Sequence, residues 1–277
     1  MPFLETVLFA AAGALAGFLL RGAYERIPEP WLRDYDYVPG SLPPLPSPRL
    51  RSMPGGLLLV LAGALVFGLS ALLHDGLSAA SLACVLAFLP LSLLFVADVQ
   101  TRILPDQLVV LSIPAAIPLL AADAATGGIR SLLVSLLVRL GAGLGAGLLL
   151  FLAGWAGSRI LRRDEAMGMG DVKLVAACGF LTGFPGILTA LMIAFLAAAA
   201  LALPMLVRKY RRLARETDDD EGEGDAPGDT EASADEDGEP DDTLPFGPFL
   251  ALGALADLLF HEPIRRLADA WLSLFLR

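Results

Sequence analysis

Two carboxylates in this chain stand at the ends of apolar runs. Asp98 closes "LSLLFVAD", and Asp171 follows a Gly-Met-Gly step in "EAMGMGDVKL", residues 165–174. An ionised carboxylate in hydrocarbon is costly unless it is solvated, paired or protonated, so acids in such places are candidates for chemistry. Two carboxylates a few ångströms apart cannot both ionise easily and share a proton. The ionised member then takes a proton from water while the other donates to a carbonyl oxygen. This is aspartic peptide hydrolysis, which needs neither a metal nor a covalent intermediate. Gly168 and Gly170 suit substrate positioning, since a residue without Cβ admits an extended strand or a tight turn. On spacing alone, Asp171 reads equally well as a helix N-cap.

The elements that carry these residues are membrane helices. Of the 277 residues, 56% are hydrophobic and the mean hydropathy is +0.66, above the roughly 45–50% apolar share of a soluble domain. The expected class is an all-α polytopic integral membrane protein. A helix needs about 20 apolar residues to cross a ~30 Å hydrocarbon layer. Scanning with that ruler predicts about eight spans, near 3–20, 56–73, 78–97, 107–125, 131–154, 171–183, 185–207 and 244–260. The sixth is short, and "GFPG" at 183–186 leaves open that it is a re-entrant piece of the seventh. Residues 1–55 form an N-terminal anchor and a Pro-rich cytoplasmic loop, "YDYVPGSLPPLPSPRLRSMPGG". Residues 56–260 form the core. Residues 261–277 read as an interfacial helix or as a tail of the last span.

Charge orients this plan. Residues 216–242 hold 15 of the 30 acids, no Lys or Arg, and no aliphatic side chain larger than Ala. Such a segment cannot bury enough surface to fold and is expected to be a disordered acidic cytoplasmic insertion. Fifteen of the 20 basic residues gather on one side: Arg21 to Arg51, Arg102, the group Arg159, Arg162, Arg163 and Lys173, and Arg208 to Arg215. Short cytoplasmic loops retain Lys and Arg, so the N-terminus lies outside, and Asp98 and Asp171 both fall at the cytoplasmic boundary. The N-terminus lacks a basic n-region and runs straight into Arg21, as a retained anchor would. The basic residues sit at membrane boundaries and mark no nucleic-acid site. Cys84 and Cys178, the two cysteines, lie in apolar runs and read as packing residues.

Other charged residues compete for roles. Asp106 lies just beyond Pro105, where it caps a helix or rivals Asp98. Lys173 projects about 200° away from Asp171 on a helix and reads as structural or as a contact for lipid phosphate. Glu165 solvates its loop. Asp123 and Asp257 pair with Arg139 or face water, and Arg139 itself either snorkels or pairs within span five.

Three stretches, "ADVQTRILPDQL", "EAMGMGDVKL" and "LPFGPFLALGAL" (244–255), resemble the type IV prepilin peptidases, which are membrane aspartic proteases of the GxGD type. The resemblance spans about residues 90 to 260, with Leu104 in an Ile position of the family pattern. It implies Asp98 and Asp171 as the catalytic pair, in preference to Asp106. It also implies prepilin or pseudopilin substrates, cut after Gly at the cytoplasmic face of a bacterial inner membrane. The family's cytoplasmic domain commonly carries two Cys-x-x-Cys pairs that bind zinc, but residues 21–55 contain no Cys. No cofactor is therefore expected: zinc is not supported, and S-adenosylmethionine enters only if N-methylation is retained. The competing classes are a transporter whose acids carry protons and a scaffold that binds pilins without cutting. The sequence does not fix the oligomeric state.

Overall fold

The computed structural model describes residues 2–33, 38, 43, 45, 49–50, 53–161, 168–220 and 245–275. Most of the Pro-rich loop, Glu165 and the acidic stretch from residue 221 to 242 lie outside the described residues. Among the described residues every regular element is helical: α1 (Pro2–Glu25), α2 (Met53–Leu73), α3 (Ala79–Thr101), α4 (Asp106–Ser112), α5 (Ile117–Leu161), α6 (Met169–Thr182), α7 (Gly186–Asp220) and α8 (Gly247–Phe275). Short 3₁₀ turns follow α1 at Glu29–Leu32 and join α4 to α5 at Ile113–Ala116.

Among the described residues, five helices are long and apolar enough to cross a membrane: Phe3–Glu25, Gly55–Leu73, Ala79–Thr101, Asp106–Ile160 and Gly186–Arg208. The expected eight differ from these for local reasons. The fourth and fifth expected spans form one helical stretch of 55 residues, about 80 Å if straight and far more than one bilayer. The chain departs from helical geometry inside it, at Gly128 (φ 67°, ψ −160°), a left-handed conformation that favours glycine. At 14 residues, α6 is about 21 Å long, short of a full crossing. The eighth expected span is the first part of α8, which bends at Phe260 (φ −110°, ψ 15°) ahead of Pro263 and carries the acids Asp257 and Glu262. α7 continues through residues 216–220, the start of the stretch expected to be unstructured, because an established helix adds a hydrogen bond for each residue it extends.

The core lies where α3, α6 and α8 meet. Phe88, Leu91 and Leu94 of α3, Leu174 and Leu181 of α6, and Leu250 of α8 are fully buried. Phe67 of α2 meets Phe88 edge-on, with centroids 5.7 Å apart. By contrast, α1, α5 and α7 expose rows of large apolar side chains such as Phe3, Phe18, Leu144, Leu148 and Phe195. Water does not tolerate such continuous apolar surface, but lipid does.

Without a hydrophobic drive between helices in lipid, packing depends on close backbone approach at small residues. A Cβ on Gly13 of α1 would strike the Gly63 carbonyl of α2, and one on Gly253 of α8 would strike the Ala190 carbonyl of α7. Between α5 and α6, a Cβ on Gly143 would come within 2.6 Å of the Ala176 carbonyl oxygen. The far end of α6 is closed by Arg139 of α5, whose Nη1 donates to the carbonyls of Phe180 (3.3 Å) and Leu181 (2.5 Å). Arg139 therefore complements the negative end of a helix, which explains a cation within an apolar span. Asp123 lies within its electrostatic reach.

Candidate active site

Asp98 sits in the last turn of α3. That helix starts on a Ser78–Ser81 capping box and ends at Arg102, whose left-handed backbone (φ 55°, ψ 24°) returns its N–H to the Asp98 carbonyl at 2.9 Å. The chain then turns through Leu104 to Pro105, which precedes α4. Asp171 sits in the first turn of α6, and its N–H donates to the Gly168 carbonyl at 3.2 Å. The two carboxylates come from helices separated by most of α4 and α5, yet lie within electrostatic reach of each other.

Asp98 is the more enclosed of the two, only 5% exposed. Its Oδ2 is one of two buried side-chain atoms among the described residues that have no hydrogen-bond partner. The first residue of α8 closes over it. The Gly247 N–H faces the Asp98 carboxylate, and a Cβ on Gly247 would lie 2.5 Å from Oδ2. The positive end of a long helix thus bears on this carboxylate. Asp171 is half-buried.

The glycines of the Gly-Met-Gly step have different surroundings. Among the described residues, a Cβ on Gly168 would have just the Asp171 Oδ2 for a neighbour, at 4.0 Å, so none of them crowds that side of the carboxylate. A Cβ on Gly170 would press on Leu104 at 3.3 Å. The same Leu104 reaches Gly247, 3.2 Å from a Cβ placed there. Leu104 is therefore wedged between the two glycines, and the three stretches singled out in the sequence converge on one side chain.

Asp106 and Lys173 bind each other. Lys173 Nζ donates to both carboxylate oxygens of Asp106, at 2.9 and 2.8 Å. This bridge joins the start of α4 to α6 two residues past Asp171. The sequence reading assigned these residues separately; the signal that links them is two opposite charges, each a few residues from a candidate acid, in an otherwise apolar chain. Asp257 lies elsewhere, buried in α8 against Gly186 and 3.9 Å from His261 Nδ1. The anchor also reaches this end of the bundle: the buried Tyr24 of α1 donates from its hydroxyl to Gln100 Oε1 at 3.1 Å, two residues past Asp98. Glu25 accepts the N–H groups of Arg49 and Leu50, each at 2.9 Å.

The apolar helical bundle of a membrane protein thus brings two aspartates from separate helices within electrostatic reach of each other. Residues 84–203, which include both aspartates, match the model of the type IV leader peptidase family. The chain is similar to the "Prepilin leader peptidase/N-methyltransferase" of Burkholderia pseudomallei strains 1026b and K96243, at 30% identity over 203 residues in each case. The match covers 73% of this chain and 53% of each relative, so the chain spans about half the length of the curated relatives it matches. No solved structure matches it.

Proposed function

We propose that this protein is a membrane aspartic endopeptidase that removes the short basic leader from type IV prepilins or pseudopilins. The observation that carries this reading is that Asp98 of α3 and Asp171 of α6 lie within electrostatic reach of each other, in the segment that matches the leader peptidase family model. A water held between the carboxylates loses a proton to the ionised one as its oxygen attacks the scissile carbonyl carbon. The protonated carboxyl gives its proton to the carbonyl oxygen, forming a gem-diol. Collapse of the diol breaks the C–N bond: the protonated carboxyl gives its proton to the leaving amine, the ionised one takes a proton from a diol hydroxyl as the C=O re-forms, and the pair again holds one proton. The Asp98 Oδ2 without a protein partner and the space that the described residues leave beside Gly168 both suit a water and an extended peptide.

The basic residues collected at the ends of the spans favour eight crossings, counting α6 and the first part of α8, with the dyad at the cytoplasmic face of a bacterial inner membrane. The cut falls after the Gly that ends the leader. The acids lie together at one membrane edge, where hydrolysis needs them, and not spaced across the bilayer as a proton path would require. The B. pseudomallei relatives are also named for N-methyl transfer, whereas residues 21–55 here contain no Cys. Proteolysis is therefore the activity assigned. Co-expression with a prepilin in membranes, followed by mass spectrometry, tests this: the leader mass is expected to be lost after its Gly. An intact prepilin alongside folded, inserted protein would refute the assignment.

The Asp106–Lys173 bridge has a positioning role in this reading. Lys173→Met is expected to change stability by no more than about 1 kcal/mol, since the pair is partly exposed. It is expected to lower processing about tenfold, by loosening α6 near Asp171. The exchanged pair Asp106→Lys with Lys173→Asp is expected to recover most of that loss in a double-mutant cycle. An exchange no better than the single variants would remove the bridge from the mechanism.

A further inference from the structure

We propose that the groove between α4, α5 and α6 receives the apolar transmembrane helix of the substrate, delivering its basic N-terminal flank to the aspartate pair. This inference rests on the peptidase reading and locates its substrate. The groove encloses about 650 Å³, within the usual range for a ligand site, but its shape is that of a trough. One wall is the stripe Leu136, Leu140 and Leu144 on α5, spaced one turn apart, and Val110 stands on the α4 wall. Between them the lining includes Gly143 and Ala176, where α5 and α6 pack backbone to backbone and hold the two walls together. Leu144 and Val110 are 70% and 62% exposed, so the walls face outward toward the bilayer.

The two ends of the trough differ. It follows α6 from Phe180 to Lys173, about 10 Å of helix, and ends at the Asp106–Lys173 bridge two residues from Asp171. Three carboxylates, Asp98, Asp106 and Asp171, gather at that end. Among the described residues, the cations there are Lys173, bound to Asp106, and Arg102, within reach of Asp98. The other end is apolar up to Phe180. An acyl chain would satisfy the walls and ignore the acids. A helix preceded by basic residues satisfies both, because charge complementarity at one end fixes direction and register. Lying in the trough, such a helix leaves the membrane beside Asp171, where the backbone must be unwound to be cut.

The test uses the full chain in nanodiscs with a prepilin that retains its leader and helix. A photoreactive amino acid replaces Leu144, and separately Leu57 on the exposed face of α2. The expected product is a prepilin adduct from position 144 and none from position 57. In parallel, Leu144→Trp is expected to raise KM for this prepilin about tenfold, as removal of ground-state binding does. It should leave unchanged the cleavage of a short peptide that carries the leader and the first few residues after its Gly but lacks the rest of the helix. If wild type cuts the prepilin but position 144 captures only lipid or a second copy of this chain, and Leu144→Trp is neutral, the groove assignment falls and the peptidase reading stands. If wild type cuts neither substrate, the peptidase reading falls, and the position-144 adduct alone decides whether the groove binds the helix.

Discussion

Asp98→Asn and Asp171→Asn are each expected to lower prepilin cleavage by about 10³- to 10⁴-fold while the protein folds and inserts normally. The two amides are near-isosteres of the carboxyls, so packing around the 5%-exposed Asp98 is kept. What is lost is the ability of the pair to hold one proton and pass it between water and substrate. Because the pair acts as a unit, the double variant should be no slower than either single one. Thermal stability should stay level or rise, since burying a carboxyl costs more than burying its amide. Quantitative mass spectrometry of the released leader, with a thermal melt of the purified protein, reads both quantities. Near wild-type turnover in either variant would dismiss the dyad.

Gly247→Ala should be nearly as damaging, although Gly247 carries no functional group. A Cβ there would stand 2.5 Å from Asp98 Oδ2 and 3.2 Å from its Cγ, so the carboxylate or the start of α8 must shift. A misplacement of about 1 Å costs on the order of 10²-fold in catalysis, and a loss of that size is expected in kcat. Gly145→Ala is the control. It lies in α5 with no atom within 4 Å of the added Cβ, and it should be neutral in activity and slightly stabilising, by up to about 1 kcal/mol of helix propensity. Equal effects from the two substitutions would mean that the close approach of Gly247 to Asp98 does not matter for turnover.

The aspartates were legible in the sequence because an ionisable group at the end of an apolar run stands out against its neighbours. Gly247 was not, although "LPFGPFLALGAL" was noted, because its role is a contact with a residue about 150 positions earlier. Locally, a glycine followed by Pro248 signals only the start of a helix. The sequence suggests that Gly170 admits a substrate strand or a tight turn; that a Cβ there would also lie 3.3 Å from Leu104 is a tertiary contact with no local signal. The helical class follows from hydropathy alone. The number of spans does not: apolar runs give the length of each segment but not where a single residue, such as Gly128, breaks a continuous helix. Arg139 looked misplaced in the sequence because the carbonyls it caps belong to another helix.

The Glu25 carboxylate holds the backbone at residues 49 and 50 next to the end of α1, so the segment between them leaves and returns through one fixed gate. Its ends stay together whatever lies between them, and closing a longer loop adds only about 0.6 kcal/mol for each doubling of length. The bundle can therefore accept a larger or smaller insert at this gate without moving the end of α3. That makes the gate a natural joint for exchanging loop modules on an unchanged helical core.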